Sequence, residues 1–207
     1  MFKDREEAGI LLAKKLKKFV KPNTVVLAIP RGGVVVGSVI SNVLNLGFDV
    51  IVVRKIGAPL NPELAIGAVG PDDTVYWDRK LCENLGVAKL EMAKLKTIKS
   101  LEVLVRENIF RGNKKPFDVA GKIVILVDDG VATGATVIVA QKYLKKIGAK
   151  EVILAVPVIS TDVLRGIKRY FDIVVALKIK EIFYSVGEFY KYFPQVENDE
   201  VIEILRN

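Results

Sequence analysis

VILVDDGVATGAT, residues 124–136, is the stretch on which the fold turns. Val124 to Val127 carry only aliphatic side chains, the pattern of a strand buried on both faces. Asp128 and Asp129 follow directly. Two adjacent carboxylates at a strand end repel each other, so the arrangement makes sense where a cationic or hydroxyl-rich group meets them. Gly130 to Thr136 are too small to pack a core, and the pattern from Gly134 to Ile147 is that of an apolar helix. The unit therefore reads as strand, loop, helix.

The same alternation extends in both directions. Downstream lie a strand over Glu151–Val156, a helix over Thr161–Tyr170 and a strand over Asp172–Leu177. Upstream lie a strand over Thr24–Ile29, an apolar helix over Val34–Leu46 and a strand over Asp49–Val53. An initial helix is announced by Asp4 and Glu7 as caps, with Ala8, Leu12, Leu16 and Phe19 at helical spacing. Strands alternating with helices predict an α/β fold, a parallel sheet with helices on both faces.

In such sheets ligands bind beyond the carboxyl ends of the strands. Small residues let backbone N–H groups approach a ligand, and a helix N-terminus favours an anion. Gly130, Val131, Ala132, Thr133, Gly134, Ala135 and Thr136 thus suit a phosphate, with hydroxyl donors at Thr133 and Thr136. Carboxylates repel phosphate but accept hydrogen bonds from vicinal hydroxyls. The stretch reads as a site for ribose 5-phosphate: acids for the hydroxyls, loop and helix N-terminus for the phosphate. It has neither the Gly-Lys-Ser/Thr ending of a P-loop nor dinucleotide-fold glycine spacing.

Two further elements belong to the same edge. Pro30-Arg31-Gly32-Gly33 is a turn whose glycines expose N–H groups and whose arginine can fork onto phosphate oxygens. Arg54 and Lys55 read as the end of another parallel strand. The Pro- and Gly-rich run Arg54–Val69 reads as a loop suited to a mobile lid, and Thr74–Trp77 as a short antiparallel strand. Residues 78–110 read as helical, with Met92, Leu95, Ile98, Leu101, Val105 and Ile109 as the buried stripe.

Composition narrows the chemistry. The chain has 207 residues, no histidine, one cysteine and a formal charge of +8. Without histidine, Ser-His and Cys-His nucleophile systems are excluded. One cysteine excludes an internal disulfide framework and fits a reducing, cytoplasmic setting. No signal-peptide pattern is visible, and Gly32–Val53, the least polar window, reads as strand–helix–strand rather than a membrane span. Residues 89–115 hold eight basic and three acidic residues. Because the cations fall between the apolar positions, they read as a solvated helix face, which disfavours nucleic acid as a partner.

VILVDDGVATGAT resembles the phosphoribosyl-pyrophosphate motif of type I phosphoribosyltransferases. DREEAGILLAKKL, AIPRGGVVVG and VRKIGAPLNPELAIGAVG resemble a bacterial and archaeal group of predicted members. The resemblance implies a single domain over residues 1–207, with a core at about 24–177, a helical insertion at about 78–115 and a C-terminal hood at about 178–207. It implies a pentosyltransferase in nucleotide salvage that uses Mg²⁺, phosphoribosyl pyrophosphate and a nucleobase, and a homodimer or higher homo-oligomer; it leaves the base open, and the C-terminal aromatics together with the lack of an orotate pattern favour a purine. The Arg31 loop would hold pyrophosphate, often through a strained or cis peptide. Asp128, Asp129 and Arg31 would be catalytic; residues 130–136, Gly32, Gly33, Arg54 and Lys55 would bind substrate. Mg²⁺ would be held mainly by substrate oxygens and water, so no protein metal ligand is expected. Phe183, Tyr184, Tyr190 and Phe193 offer stacking faces for the base, or else form the core of the hood. The alternative is a regulatory protein that senses phosphoribosyl pyrophosphate and binds nucleic acid; a sugar-phosphate hydrolase ranks last.

Overall fold

The computed structural model of the chain describes residues 1–112, 114–181 and 185–206. In chain order the strands are β1 (Thr24–Ala28), β2 (Gly47–Val50), β3 (Arg54–Ala58), β4 (Asn61–Val69), β5 (Val75–Trp77), β6 (Ile123–Val127), β7 (Glu151–Ser160) and β8 (Ile173–Lys180). The helices are α1 (Arg5–Leu16), α2 (Gly32–Leu44), α3 (Arg79–Asn84), α4 (Lys89–Arg111), α5 (Ala135–Lys146), α6 (Thr161–Ile167) and α7 (Asn198–Arg206). A parallel sheet runs β2-β1-β6-β7-β8, and β3-β4-β5 form a small antiparallel sheet.

Period-two alternation divides each central strand between two cores. Val26, Ala28, Ile125 and Val127 pack with Leu12, Val34 and Ile40 of α1 and α2. Val25, Leu27, Val124 and Leu126 pack with Val137, Ile138 and Leu144 of α5. Full burial of one such aliphatic side chain contributes about 1.5–3 kcal/mol, so the central strands fix the sheet. β1 and β6 are direct neighbours, with Ala28 opposite Val127. Their carboxyl ends therefore open side by side, one into Arg31 and the other into Asp128.

The segment after β2 differs from its sequence reading. Arg54 and Lys55 do not end a parallel strand. β2 stops at Val50, and the two residues open β3, which pairs antiparallel with β4. Arg54–Val69 is thus a β-hairpin and not an irregular loop. Its prolines and glycines sit at the irregularity: the register shifts on either side of Gly57, whose α-carbon packs against Pro62. A bulge of this kind is where a strand tolerates both residues.

The inserted helical region is also corrected. It consists of two helices separated at 85–88, where Gly86 adopts φ +64°. The buried face of α4 is Val103 and Phe110, supported by Met92 and Leu95. Ile98, Leu101, Val105 and Ile109 are exposed. Both sides of α4 are apolar, and periodicity could not choose between them. Charged anchors make the choice. Glu102 holds Arg54 at 2.7 Å, and Arg111 holds Asp49 at 3.0 Å and donates to the carbonyl of Val50. Of the basic residues in this region, Lys96 and Lys99 are also ion-paired, to Asp73 and Glu102.

The two ends of the chain meet. Phe2 N–H donates to the Phe189 carbonyl, Lys191 N–H to the Phe2 carbonyl, and Tyr192 N–H to the Lys3 carbonyl. Residues 189–192 are therefore fastened to the first residues ahead of α1. No helix among the described residues is long and apolar enough to cross a membrane.

Candidate functional site

The site is assembled where β1 and β6 end. The Ile29 N–H donates to the Val127 carbonyl at 2.8 Å, carrying the β1–β6 pairing up to the edge. Beyond it the Pro30–Arg31 peptide is cis, and α2 starts at Gly32. The α-carbon of Gly32 lies against the Asp129 carboxylate so closely that any side chain would overlap it. Gly33 is in the same relation to Asp128, with about 3.0 Å between a notional β-carbon and the Asp128 backbone. The two glycines of the Arg31 turn thus let the loop after β1 close onto the acids after β6.

The two acids are not equivalent. Among the described residues the Asp128 carboxylate accepts only the N–H of Asp129, at 2.9 Å. Burial pushes Asp128 well above the ordinary carboxylate range, and the Asp129 charge adds to the push. Asp129 accepts a charge-assisted bond from Arg5 Nε at 2.9 Å, and both side chains are largely buried. Burial raises Asp129 as well, but the Arg5 charge and hydrogen bond oppose the rise.

Arg5 has no counterpart in the sequence reading. It is held on three sides: Nε on Asp129, Nη1 on the Pro194 carbonyl at 2.8 Å, and the guanidinium carbon 3.7 Å from the centre of the Phe193 ring. Tyr190 stacks on Phe193 with ring centres 4.8 Å apart and donates its hydroxyl to the Asp129 carbonyl at 2.7 Å. Burial, then the Asp129 charge, pushes the Tyr190 hydroxyl far above its usual range, so it stays a donor. Tyr190 and Phe193 therefore pack against the acid end and do not present free faces to a base. Phe183 and Tyr184 lie outside the described residues.

The loop after Asp129 leaves most of its backbone N–H groups open. Val131 is tied to the Val158 carbonyl at 3.0 Å, but no bond runs from the N–H of Ala132, Thr133, Gly134, Ala135 or Thr136 to another described residue. Ala132 and Thr133 are exposed. Gly134 precedes α5 at φ +83°, against Ile167, where a side chain would be strained and crowded. α1, α3 and α6 carry side-chain caps from Asp4, Asp78 and Ser160. α2 and α5, whose N-termini face the site, carry none. α4 also starts without a side-chain cap; at the site, Gly32 and Gly33 of α2 and the first residues of α5 keep N–H groups without a bond among the described residues, while Val34 N–H donates to the Arg31 carbonyl at 3.1 Å.

Of the expected cations, Arg31 stands in the turn at this edge, Arg54 is held by α4 and Lys55 by its own hairpin. Arg31 Nη1 pairs with Glu197 at 3.2 Å, and Arg54 with Glu102. Lys55, next along β3, bonds to Glu63 of its own hairpin.

Residues 4–192 match the family described as the phosphoribosyl transferase domain. The chain belongs to that family. Two Mycobacterium tuberculosis strains carry a protein provisionally named a phosphoribosyl transferase; it is 36% identical over 205 residues, which is 99% of this chain and 46% of that protein. The chain thus spans about half the length of these curated relatives. The crystal structure of the Thermus thermophilus protein TT1426 is 36% identical, with TM-score 0.83 over 99% of this chain and 97% of that one. The purine phosphoribosyltransferase of Pyrococcus horikoshii shares the fold at 20% identity, with TM-score 0.50 over 93% and 89% of the two chains.

Proposed function

We propose that the chain transfers ribose 5-phosphate from phosphoribosyl pyrophosphate to a ring nitrogen of a nucleobase and releases pyrophosphate. The observation that carries this reading is one sheet edge on which adjacent acids, an uncapped helix N-terminus and the Arg31 turn meet. In the reaction the bond from sugar C1 to the pyrophosphate oxygen breaks and a bond from C1 to nitrogen forms. The ring nitrogen's proton passes to solvent or to the leaving group.

Each protein group has a task in this scheme. The free N–H groups of residues 132–136 and the Thr133 and Thr136 hydroxyls bind the 5-phosphate. Asp128 and the free oxygen of Asp129 accept the sugar hydroxyls, and their negative charge favours the cation-like sugar at C1. Arg5 is a positioning residue that sets the orientation of Asp129. Arg31 and Arg54 bind the leaving pyrophosphate. No histidine is required, because the barrier lies in separating charge and not in generating a nucleophile.

Mg²⁺ is the proposed cofactor. Among the described residues no cluster of three or more His, Cys, Asp or Glu side chains could hold a metal ion. The Asp pair alone fits an ion that takes one or two carboxylates and completes its shell with substrate oxygens and water. When bound, it would neutralise charge on the pyrophosphate. The acceptor we propose is a purine. Val186, half-buried and packed over Gly130, gives the hood an apolar surface beside the sugar site, and a purine covers more of it than a pyrimidine.

The test is a turnover assay with phosphoribosyl pyrophosphate, Mg²⁺ and a panel of purine and pyrimidine bases. An Asp128→Asn, Asp129→Asn double variant serves as the control. Purine-dependent pyrophosphate release that disappears in the control is the expected result. Turnover with a pyrimidine alone would replace the acceptor. No turnover with any base would overturn the transferase reading.

A further inference from the structure

We propose that Arg106, on the inserted helix α4, is a third pyrophosphate-binding guanidinium beside Arg31 and Arg54. The inference rests on the transferase reading of the same site. It concerns a residue of the basic segment that the sequence assigned to a solvated surface.

Position comes first. α4 packs along β3 and is fixed at two points, Glu102 on Arg54 and Arg111 on Asp49 and Val50. Arg106 lies between these points along α4, one helical turn beyond Glu102 and so beside the Arg54–Glu102 pair. Its side chain is half-buried. Among the described residues its guanidinium makes no hydrogen bond and no ion pair. Arg31, Arg54, Lys99 and Glu102, in contrast, are all paired.

Charge comes second. Among the described residues, Arg31 pairs with Glu197, Arg54 and Lys99 share Glu102, and Arg106 pairs with neither carboxylate. Burial holds the Arg106 guanidinium below its usual range, and the positive charges of Arg54 and then Arg31 lower it further. A half-desolvated cation beside two others is unfavourable unless an anion joins them. The missing partner must carry several negative charges and offer oxygens to guanidiniums from three separate elements. A diphosphate does both, and guanidiniums bind its oxygens in pairs. The 5-phosphate has its own place at the N-terminus of α5. Arg106 therefore distinguishes the leaving-group end of the substrate from the sugar-phosphate end.

The experiment titrates the full chain separately with inorganic pyrophosphate plus Mg²⁺ and with ribose 5-phosphate. Wild type, Arg106→Gln and Arg106→Lys are compared after thermal melts establish equal folding. Loss of a charge-assisted bond should weaken pyrophosphate binding by Arg106→Gln about tenfold or more, while ribose 5-phosphate stays within about twofold. Arg106→Lys should recover part of the loss. Pyrophosphate binding by Arg106→Gln equal to wild type would overturn the role of Arg106 and leave the transferase reading standing. Equal weakening for both ligands would also overturn it, because the effect would not belong to the diphosphate end. A wild-type chain that binds neither ligand would instead remove the transferase reading, and the Arg106 role with it.

Discussion

The two ends of the site are built on different principles. The proposed sugar-phosphate end uses backbone: a run of small residues, 130–136, and the uncapped start of α5. Its N–H groups come from consecutive residues and are fixed by the strand–helix geometry. The proposed pyrophosphate end would use long side chains from separate elements: Arg31 after β1, Arg54 on β3 and Arg106 on α4, with Glu197 and Glu102 engaging the first two. The first end is preorganised and needs little rearrangement to receive a phosphate. At the second, an incoming anion must exchange with carboxylates already in place. Between them sit the acids, one clamped by Arg5 and one without a cation in contact.

Variants can break this contrast or sharpen it, and the largest effect is expected at the acids between the two ends. Replacing both Asp128 and Asp129 by Asn removes the charge facing the sugar, and turnover should fall by about 10²–10³-fold in steady-state kinetics. Arg5→Gln tests the clamp. Asp129 would be left as a largely buried, uncompensated charge, at a cost of about 3 kcal/mol in denaturant unfolding. A loss of only a few tenths would mean that Asp129 is solvated and that Arg5 does not position it.

Gly134→Ala then separates the ends. A side chain at φ +83° costs about 1–2 kcal/mol and crowds Ile167. Ribose 5-phosphate affinity should fall while inorganic pyrophosphate affinity holds; Arg54→Gln should give the reverse pattern in the same titrations.

Asp128 carries a pH signature. Its folded value lies above the ordinary 3.8, so the native state retains the proton that the unfolded chain has released. The wild type is therefore penalised as pH rises from about 4 through the raised value. Asp128→Asn should melt higher than wild type at neutral pH, and the difference should vanish in acid. Melts across that range check it. The smallest effect belongs to Glu197→Gln. Its pair with Arg31 is solvent-exposed on the Glu side, so stability should change by less than about 1 kcal/mol, while pyrophosphate binds slightly tighter.

The same contrast governs what the sequence made legible. The parallel sheet and the Asp128 loop were readable because their signals are local: aliphatic runs, adjacent acids, small residues and a helix start, all contiguous. The role of Arg5 was not readable. Nothing near residue 5 indicates that its partners are Asp129, Phe193 and Pro194. The hairpin at 54–69 was obscured because Gly57 and Pro62, which punctuate loops elsewhere, here mark a bulge inside paired strands. The inward face of α4 is hidden from the sequence for a related reason. Apolar residues lie on both its faces, and the ion pairs of Glu102 and Arg111, long-range in sequence, turn one face inward.

The most direct test is calorimetric titration of the wild-type chain with phosphoribosyl pyrophosphate, ribose 5-phosphate and inorganic pyrophosphate, each with Mg²⁺. A site with two cooperating ends should bind phosphoribosyl pyrophosphate at least about tenfold more tightly than either fragment, since one molecule engages both ends at once. Phosphoribosyl pyrophosphate that fails to bind, or binds no better than pyrophosphate alone, would contradict the account.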